Sequence, residues 1–183
     1  MLRAAGVKFI AIPASIDEAV VKRRFRDRGE EALSCAMALA QAKARAVAAL
    51  HPEATVIGAD QILVVGDQWF DKPASFAETA AQLRRLSGRS HILATAACAM
   101  RGDSCLWTAA AAPNLTMRRI GESFLAKYIE AEGEAVLGSV GGYRIEGRGA
   151  QLFVGIEGDH FAVLGLPLLE LLAFLRDRGL LGE

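Results

Sequence analysis

Six consecutive residues constrain this chain more than any others: Thr55-Val-Ile-Gly-Ala-Asp60 is an apolar, β-branched run that ends on one carboxylate. Val56 and Ile57 suit a buried strand, while Gly58 and Ala59 leave room for a neighbour to pack closely. The run predicts a strand over residues 55–59, a second over 62–65 and a turn at Gly66-Asp67. In open α/β sheets ligands gather at the carboxyl ends of strands, so an acid at Asp60 is placed to hold a cation or activate water. An aspartate that simply begins a turn satisfies this stretch equally well.

The surrounding pattern alternates helices with strands. A helix is predicted over residues 30–50, stopped by His51-Pro52, with an apolar stripe of Leu33, Ala36, Met37, Ala40, Ala44, Val47 and Leu50. Residues 8–13 read as a strand and residues 16–19 as the loop after it. A second helix spans 75–86, opened by the capping box Ser75 and Glu78. Strands over 91–100 and 106–112 flank the turn signal Arg101-Gly-Asp-Ser104, with a further strand over 115–119. A third helix covers 122–132, residues 138–149 form a glycine-rich loop, 151–156 a strand, and Pro167 opens a last helix to about 178. A hairpin set among helices makes a mixed sheet the expectation, in one α/β domain.

Lys43 falls inside the stripe of the long helix, one turn from Leu39 and Val47. A lysine there needs an anionic partner or must run its stem out to a wet cleft. It is either a snorkelling surface lysine or an ammonium aimed at a phosphate site. Lys72, before Pro73, is held extended in a loop, and Asp17-Glu18 is an acidic pair. Residues 138–149 match neither a dinucleotide fingerprint nor a Walker loop, but glycine at that density lets backbone approach a flat ligand, with Tyr143, Arg144 and Glu146 at hand to contact a base. His51, His91 and His160 have no metal-ligand spacing, and no nucleophilic triad stands out. Carboxylates, lysines and a divalent cation are the chemistry left.

Charge narrows the partners. Lys plus Arg and Asp plus Glu both number 21, so the net charge of zero gives no field to attract nucleic acid. Three cysteines without C-x-x-C spacing fit a reducing compartment. The longest apolar stretch, residues 161–175, is broken by Pro167 and Glu170 and is too short to span a bilayer. The expectation is a cytoplasmic protein. Leu168, Leu169, Leu171, Leu172, Phe174 and Leu175 make the last helix apolar almost all round, which suits the core or a homodimer contact.

Read in order, these pieces resemble the Maf family of nucleoside triphosphate pyrophosphatases. The matching residues are Ile16-Asp17-Glu18, Leu39-Ala-Gln-Ala-Lys43-Ala, Ile57-Gly-Ala-Asp60-Gln61, Asp71-Lys72-Pro73, Leu86-Ser-Gly88 with His91 and Thr95, Gly142-Tyr-Arg-Ile-Glu-Gly147 and Val163-Leu-Gly-Leu-Pro167-Leu. The resemblance implies a mixed twisted sheet with flanking helices and two lobes around a cleft. It implies hydrolysis of a nucleoside triphosphate to the monophosphate and pyrophosphate with Mg²⁺ or Mn²⁺. The proton acceptor for water maps to Asp60, its metal or water partner to Glu18, and the phosphate-side lysines to Lys43 and Lys72. Gln61 and Glu146 look like the branch acting on 7-methyl-GTP, since a carboxylate at Glu146 would accept from the guanine N1–H and N2 amino group. Family members open with a strand and a Ser-x-Ser-x-Arg-Arg loop that grips phosphates. The opening Met1-Leu-Arg-Ala-Ala-Gly6-Val-Lys-Phe9 looks like the tail of the helix after that loop, so the resemblance implies a single Maf-like domain over residues 1–183 short of its first strand. A start codon placed too late would account for this. The alternative it allows is a catalytically impaired nucleotide-binding regulator of cell division.

Overall fold

A computed structural model describes residues 1–182. Among the described residues six α-helices, α1 (Glu18–Asp27), α2 (Ala32–Ala48), α3 (Phe76–Leu86), α4 (Glu122–Glu132), α5 (His160–Val163) and α6 (Leu168–Asp177), and three short 3-10 helices accompany six strands. These are β1 (Val56–Val65), β2 (Gln68–Phe70), β3 (Ser90–Arg101), β4 (Ser104–Ala111), β5 (Asn114–Met117) and β6 (Phe153–Glu157). They form one sheet in the order β2-β1-β3-β5-β6, with β4 paired to β3. The pairs β1–β2, β3–β4, β3–β5 and β5–β6 are antiparallel. The chain divides into two compact units: Met1–Gln61, Ala94–Ala112 and Phe161 onward form the first, and Ile62–Leu93 with Pro113–His160 the second.

In the first unit the period of two along β1 sorts its side chains between two layers. Val56 packs with Ala40, Ala44, Ala48, Cys98 and Met100 on the α2 side. Ile57 and Ala59 join Ala97, Ala99, Leu166, Leu168, Leu171, Phe174 and Leu175 on the α6 side. Gly58 is required by the close approach of α2: a Cβ there would stand 2.8 Å from the Ala44 Cβ and against the Ala40 carbonyl oxygen. The second unit is built on α3, whose Ser75 N-cap accepts from the Glu78 amide at 3.2 Å while Glu78 accepts from the Ala74 amide at 2.8 Å. At its centre His91, Tyr143 and Phe153 meet ring to ring, with the His91 Nε2 and Tyr143 Oη 2.7 Å apart.

The structure corrects the expected elements in five places. Residues 138–149 are not loop throughout, since short 3-10 helices cover Val140–Gly142 and Arg148–Leu152. Residues 8–13 are not a strand: no strand among the described residues pairs with them, and Ile10 is 87% exposed. Residues 18–19 are not loop but the first turn of α1, which apolar periodicity does not announce because none of its residues is buried; Asp17 caps it by accepting from the Val20 amide. The two predicted strands at 55–59 and 62–65 are one strand, so Asp60 lies within β1 rather than at its end. The last helix is apolar all round in composition but not in burial, since Leu168, Leu171, Phe174 and Leu175 are buried while Leu169 is 64% exposed. The long helix, the capped helix, the hairpin and α4 stand where the sequence puts them.

Two outcomes follow from this packing. Gly58→Ala is expected to lower stability by about 1–3 kcal/mol, read by denaturant melts, because α2 must move to admit one methyl group. Burial holds His91 down to about 4 from its ordinary 6.5, so the folded chain keeps it neutral where the unfolded chain protonates it. Its contribution is complete above pH 6.5 and is lost as pH falls toward 4, by up to about 3 kcal/mol. Across that window the wild type is expected to lose stability relative to His91→Phe as pH falls, read by melts of both.

Candidate active site

Four charged side chains of the first unit converge on the α2 face of β1. Asp60 is buried, and its Oδ1 accepts a hydrogen bond from the Lys43 ammonium on α2. The same ammonium lies 2.8 Å from Glu18 Oε1 at the first turn of α1. Lys22, one turn further along α1, stands 3.9 Å from Glu18 Oε2 with its side chain 12% exposed. The local sequence explains the convergence. Asp60 shares its pleat with Val56 and Gly58, and the absence of a side chain at Gly58 lets α2 come close enough for Lys43 to reach. The α2 stripe then carries Lys43 half inside, between buried Leu39 and Val47.

Electrostatics couple these groups. For Lys43, burial favours the neutral amine, but hydrogen bonds to Asp60 and then Glu18 outweigh it and hold the pKa above its ordinary value. The ammonium is therefore fixed as a cation between two carboxylates. For Asp60, burial is the largest influence and raises the carboxyl pKa; the Lys43 bond and charge offset part of this, and the Glu18 charge adds to the rise. Asp60 Oδ2 is buried and has no hydrogen-bond partner. A buried carboxylate with one oxygen held by an ammonium and the other unsatisfied is a strong proton acceptor or cation ligand. Cys35, buried below, is pushed up to about 11 by burial and next by the Asp60 charge, so it stays a thiol.

The remaining predicted residues lie elsewhere. Gln61 follows Asp60 on a strand and so points to the opposite layer. Its amide donates to Thr95 Oγ1 at 2.8 Å and to the Ala162 and Val163 carbonyl oxygens at 2.8 and 3.3 Å. The Thr95 hydroxyl itself donates to the Ala162 oxygen at 2.9 Å. That fixes the amide group of Gln61 on α5 and keeps it off the face that Asp60 uses. Lys72 and Glu146 belong to the second unit, both exposed. Lys72 follows Asp71, whose carbonyl oxygen accepts from the buried Gln82 amide at 3.0 Å. Glu146 lies 3.5 Å from the Arg144 guanidinium.

Sequence reasoning missed Lys22 and Gln82 as contributors. The i, i+4 spacing of Glu18 and Lys22 was the available signal for the first. A glutamine on the buried Thr79-Gln82-Leu83-Leu86 face of α3 was the signal for the second.

Fold and site together define an α/β protein in which a buried aspartate, a half-buried lysine and a part-exposed glutamate form a compact charged centre. Its lineage is equally definite. The Maf family, described as Maf-like protein, matches residues 1–178, and this chain belongs to it. Among its relatives, a nucleoside triphosphate pyrophosphatase of Granulibacter bethesdensis is 48% identical over 177 residues, covering 97% of this chain and 90% of that protein. One of the same description from Rhodospirillum rubrum is 43% identical over 99% of this chain and 90% of its own length. A 7-methyl-GTP pyrophosphatase of Rhizobium etli is 44% identical, covering 98% of this chain and 90% of that protein.

Removing the ammonium tests the coupling. Lys43→Met is expected to destabilise the fold by roughly 2–3 kcal/mol, less than a fully buried pair would lose because Lys43 is 25% exposed. Adding Asp60→Asn to Lys43→Met removes the orphaned charge, and the double variant is expected to melt closer to wild type than Lys43→Met alone.

Proposed function

We propose that this chain is a nucleoside triphosphate pyrophosphatase, a hydrolase that splits a nucleoside triphosphate into the monophosphate and pyrophosphate. The observation that carries the reading is the Asp60–Lys43–Glu18 cluster, read beside family membership and the activity named for the relatives. In the reaction the Asp60 carboxylate takes a proton from water as the water oxygen bonds to the α-phosphorus. The bond from that phosphorus to the bridging oxygen breaks, and pyrophosphate leaves with the electron pair. A raised carboxyl pKa makes Asp60 a better base near neutral pH, and a positioned base contributes about 10²–10⁴-fold. Lys43 orients that carboxylate and adds positive charge beside the phosphates.

The residues fit a divalent cation. Asp60 has an unsatisfied buried oxygen and Glu18 a part-exposed carboxylate, hard oxygen donors both. No cluster of three or more His, Cys, Asp or Glu residues able to hold a metal occurs among the described residues. Two carboxylates with water and phosphate oxygens are the set that Mg²⁺ or Mn²⁺ takes at such sites. When bound, the cation neutralises triphosphate charge.

For the base, a modified purine of the 7-methyl-GTP kind is the substrate we favour. Exposed Glu146 offers acceptors for a guanine N1–H and N2 amino group, and the relative from Rhizobium etli is named for that activity. No pyrimidine triphosphate presents that adjacent pair of donors on one edge. Gln61 takes part indirectly, since its amide is engaged on α5.

Pyrophosphate release from a panel of nucleotides, with and without Mg²⁺, tests this reading. Release in a Mg²⁺-dependent manner, with ¹⁸O from water entering the monophosphate, is expected. Label in the pyrophosphate, or phosphate as the product, contradicts it. Glu146→Gln is expected to cut the preference for 7-methyl-GTP over UTP by about tenfold, the worth of one to two hydrogen bonds to a charged acceptor.

A further inference from the structure

One buried titratable group in the second unit has no part in the chemistry above. His91 on β3 is 2% exposed, its Nδ1 is buried without a hydrogen-bond partner, and its Nε2 is committed to the Tyr143 hydroxyl at 2.7 Å. A lone histidine in a core is expensive to keep, because one ring nitrogen goes unsatisfied. A phenylalanine would fill the same space at no such cost. What the imidazole provides is a single directed hydrogen bond, and its recipient is the first residue of Tyr143-Arg144-Ile145-Glu146.

That segment needs a fastening. Gly141 and Gly142 immediately before it hold φ of 76° and 70°, a backbone region that side-chain-bearing residues rarely adopt. A Cβ on Gly141 would meet Leu63 and Leu86 at 2.6 and 3.2 Å, and one on Gly142 would meet Thr79. The chain is thus threaded tightly past α3 and then turns outward. Tyr143 is 5% exposed, Phe153 packs on its edge at 4.9 Å between ring centroids, and the Tyr128 hydroxyl donates to the Gly142 carbonyl oxygen at 3.5 Å. Three residues on, Glu146 is exposed, and its carboxylate pairs with Arg144 at 3.5 Å. The Glu146 backbone is held on both sides: before it by the Tyr143 anchor, and after it by a turn in which the Gly147 amide donates to the Arg144 carbonyl oxygen at 3.2 Å.

We infer that His91 is a positioning residue for nucleotide recognition: through the Tyr143 hydroxyl it fixes the segment that carries Arg144 and Glu146 toward the base. The inference rests on the reading of Glu146 as a base contact. Its consequence is a split between binding and chemistry. The hydrogen bond acts on the base-reading segment alone, so its loss weakens ground-state and transition-state binding equally and leaves the turnover step intact.

The experiment measures kcat and KM for the preferred nucleotide in Tyr143→Phe, which removes one oxygen, in His91→Phe and in the double variant. Asp60→Asn serves as a catalytic control. KM is expected to rise about fivefold in each single variant with kcat within twofold, and the ratio of kcat/KM between purine and pyrimidine triphosphates to fall. The double variant is expected to resemble either single one, because both remove the same bond. If KM and the purine ratio stay at wild-type values in Tyr143→Phe while thermal stability drops, the bond only holds the core together and the inference is overturned. Additive KM effects in the double variant overturn it as well. An unchanged purine ratio in Glu146→Gln would instead overturn the reading of Glu146 as a base contact on which the inference rests, and wild-type turnover by Asp60→Asn would overturn the separate catalytic reading.

Discussion

A single ammonium group, Lys43 Nζ, sits between the carboxylates of Asp60 and Glu18, and the first unit is organised to permit it. Burying Asp60 in β1 without a partner would cost several kcal/mol, and the carboxyl would take up a proton instead. Lys43 averts this, and the helix that carries it can approach only because residue 58 is glycine and the facing α2 residues Ala40 and Ala44 are small. Backbone, packing and charge are therefore one constraint. A change at Gly58, Ala44 or Lys43 reaches Asp60 by the same route.

The second unit solves a different problem with aromatic packing. A glycine pair turns the chain past Thr79, and three rings with one hydrogen bond fix where the exposed Arg144–Glu146 stretch starts. The nearby loop at Lys72 is fixed by a side-chain amide, Gln82, bonded to the backbone before it. In both cases an exposed charge is borne by a loop whose root is tied to α3 or β3. Flexible charged side chains on rigid roots suit recognition of a ligand that must enter and leave.

Much of this was legible in the sequence. The α2 stripe marks the helix and sets Lys43 apart as an anomaly within it, and the ordered motifs from Ile16 to Pro167 point to the Maf family. Asp60 was singled out for the right residue type but with the wrong surroundings. The polar pair Asp60-Gln61 looks like the end of a strand, whereas inside β1 each side chain finds a partner distant in sequence, Lys43 for one Asp60 oxygen and the α5 carbonyls for the Gln61 amide. Helix α1 was invisible because its side chains are mostly charged and none is buried, so only the Asp17 cap and the Glu18–Lys22 spacing mark it. The role of His91 was equally hidden, since its partner Tyr143 lies 52 residues away.

The centre of the proposal is that Asp60 performs the proton transfer while Lys43 keeps it poised. Turnover of a nucleoside triphosphate by Asp60→Asn, followed by pyrophosphate release with nucleotide affinity measured in parallel, tests it most directly. Loss of at least a hundredfold in kcat with binding preserved is the predicted result, in line with the removal of a general base. Asparagine at position 60 with kcat near wild type would contradict it.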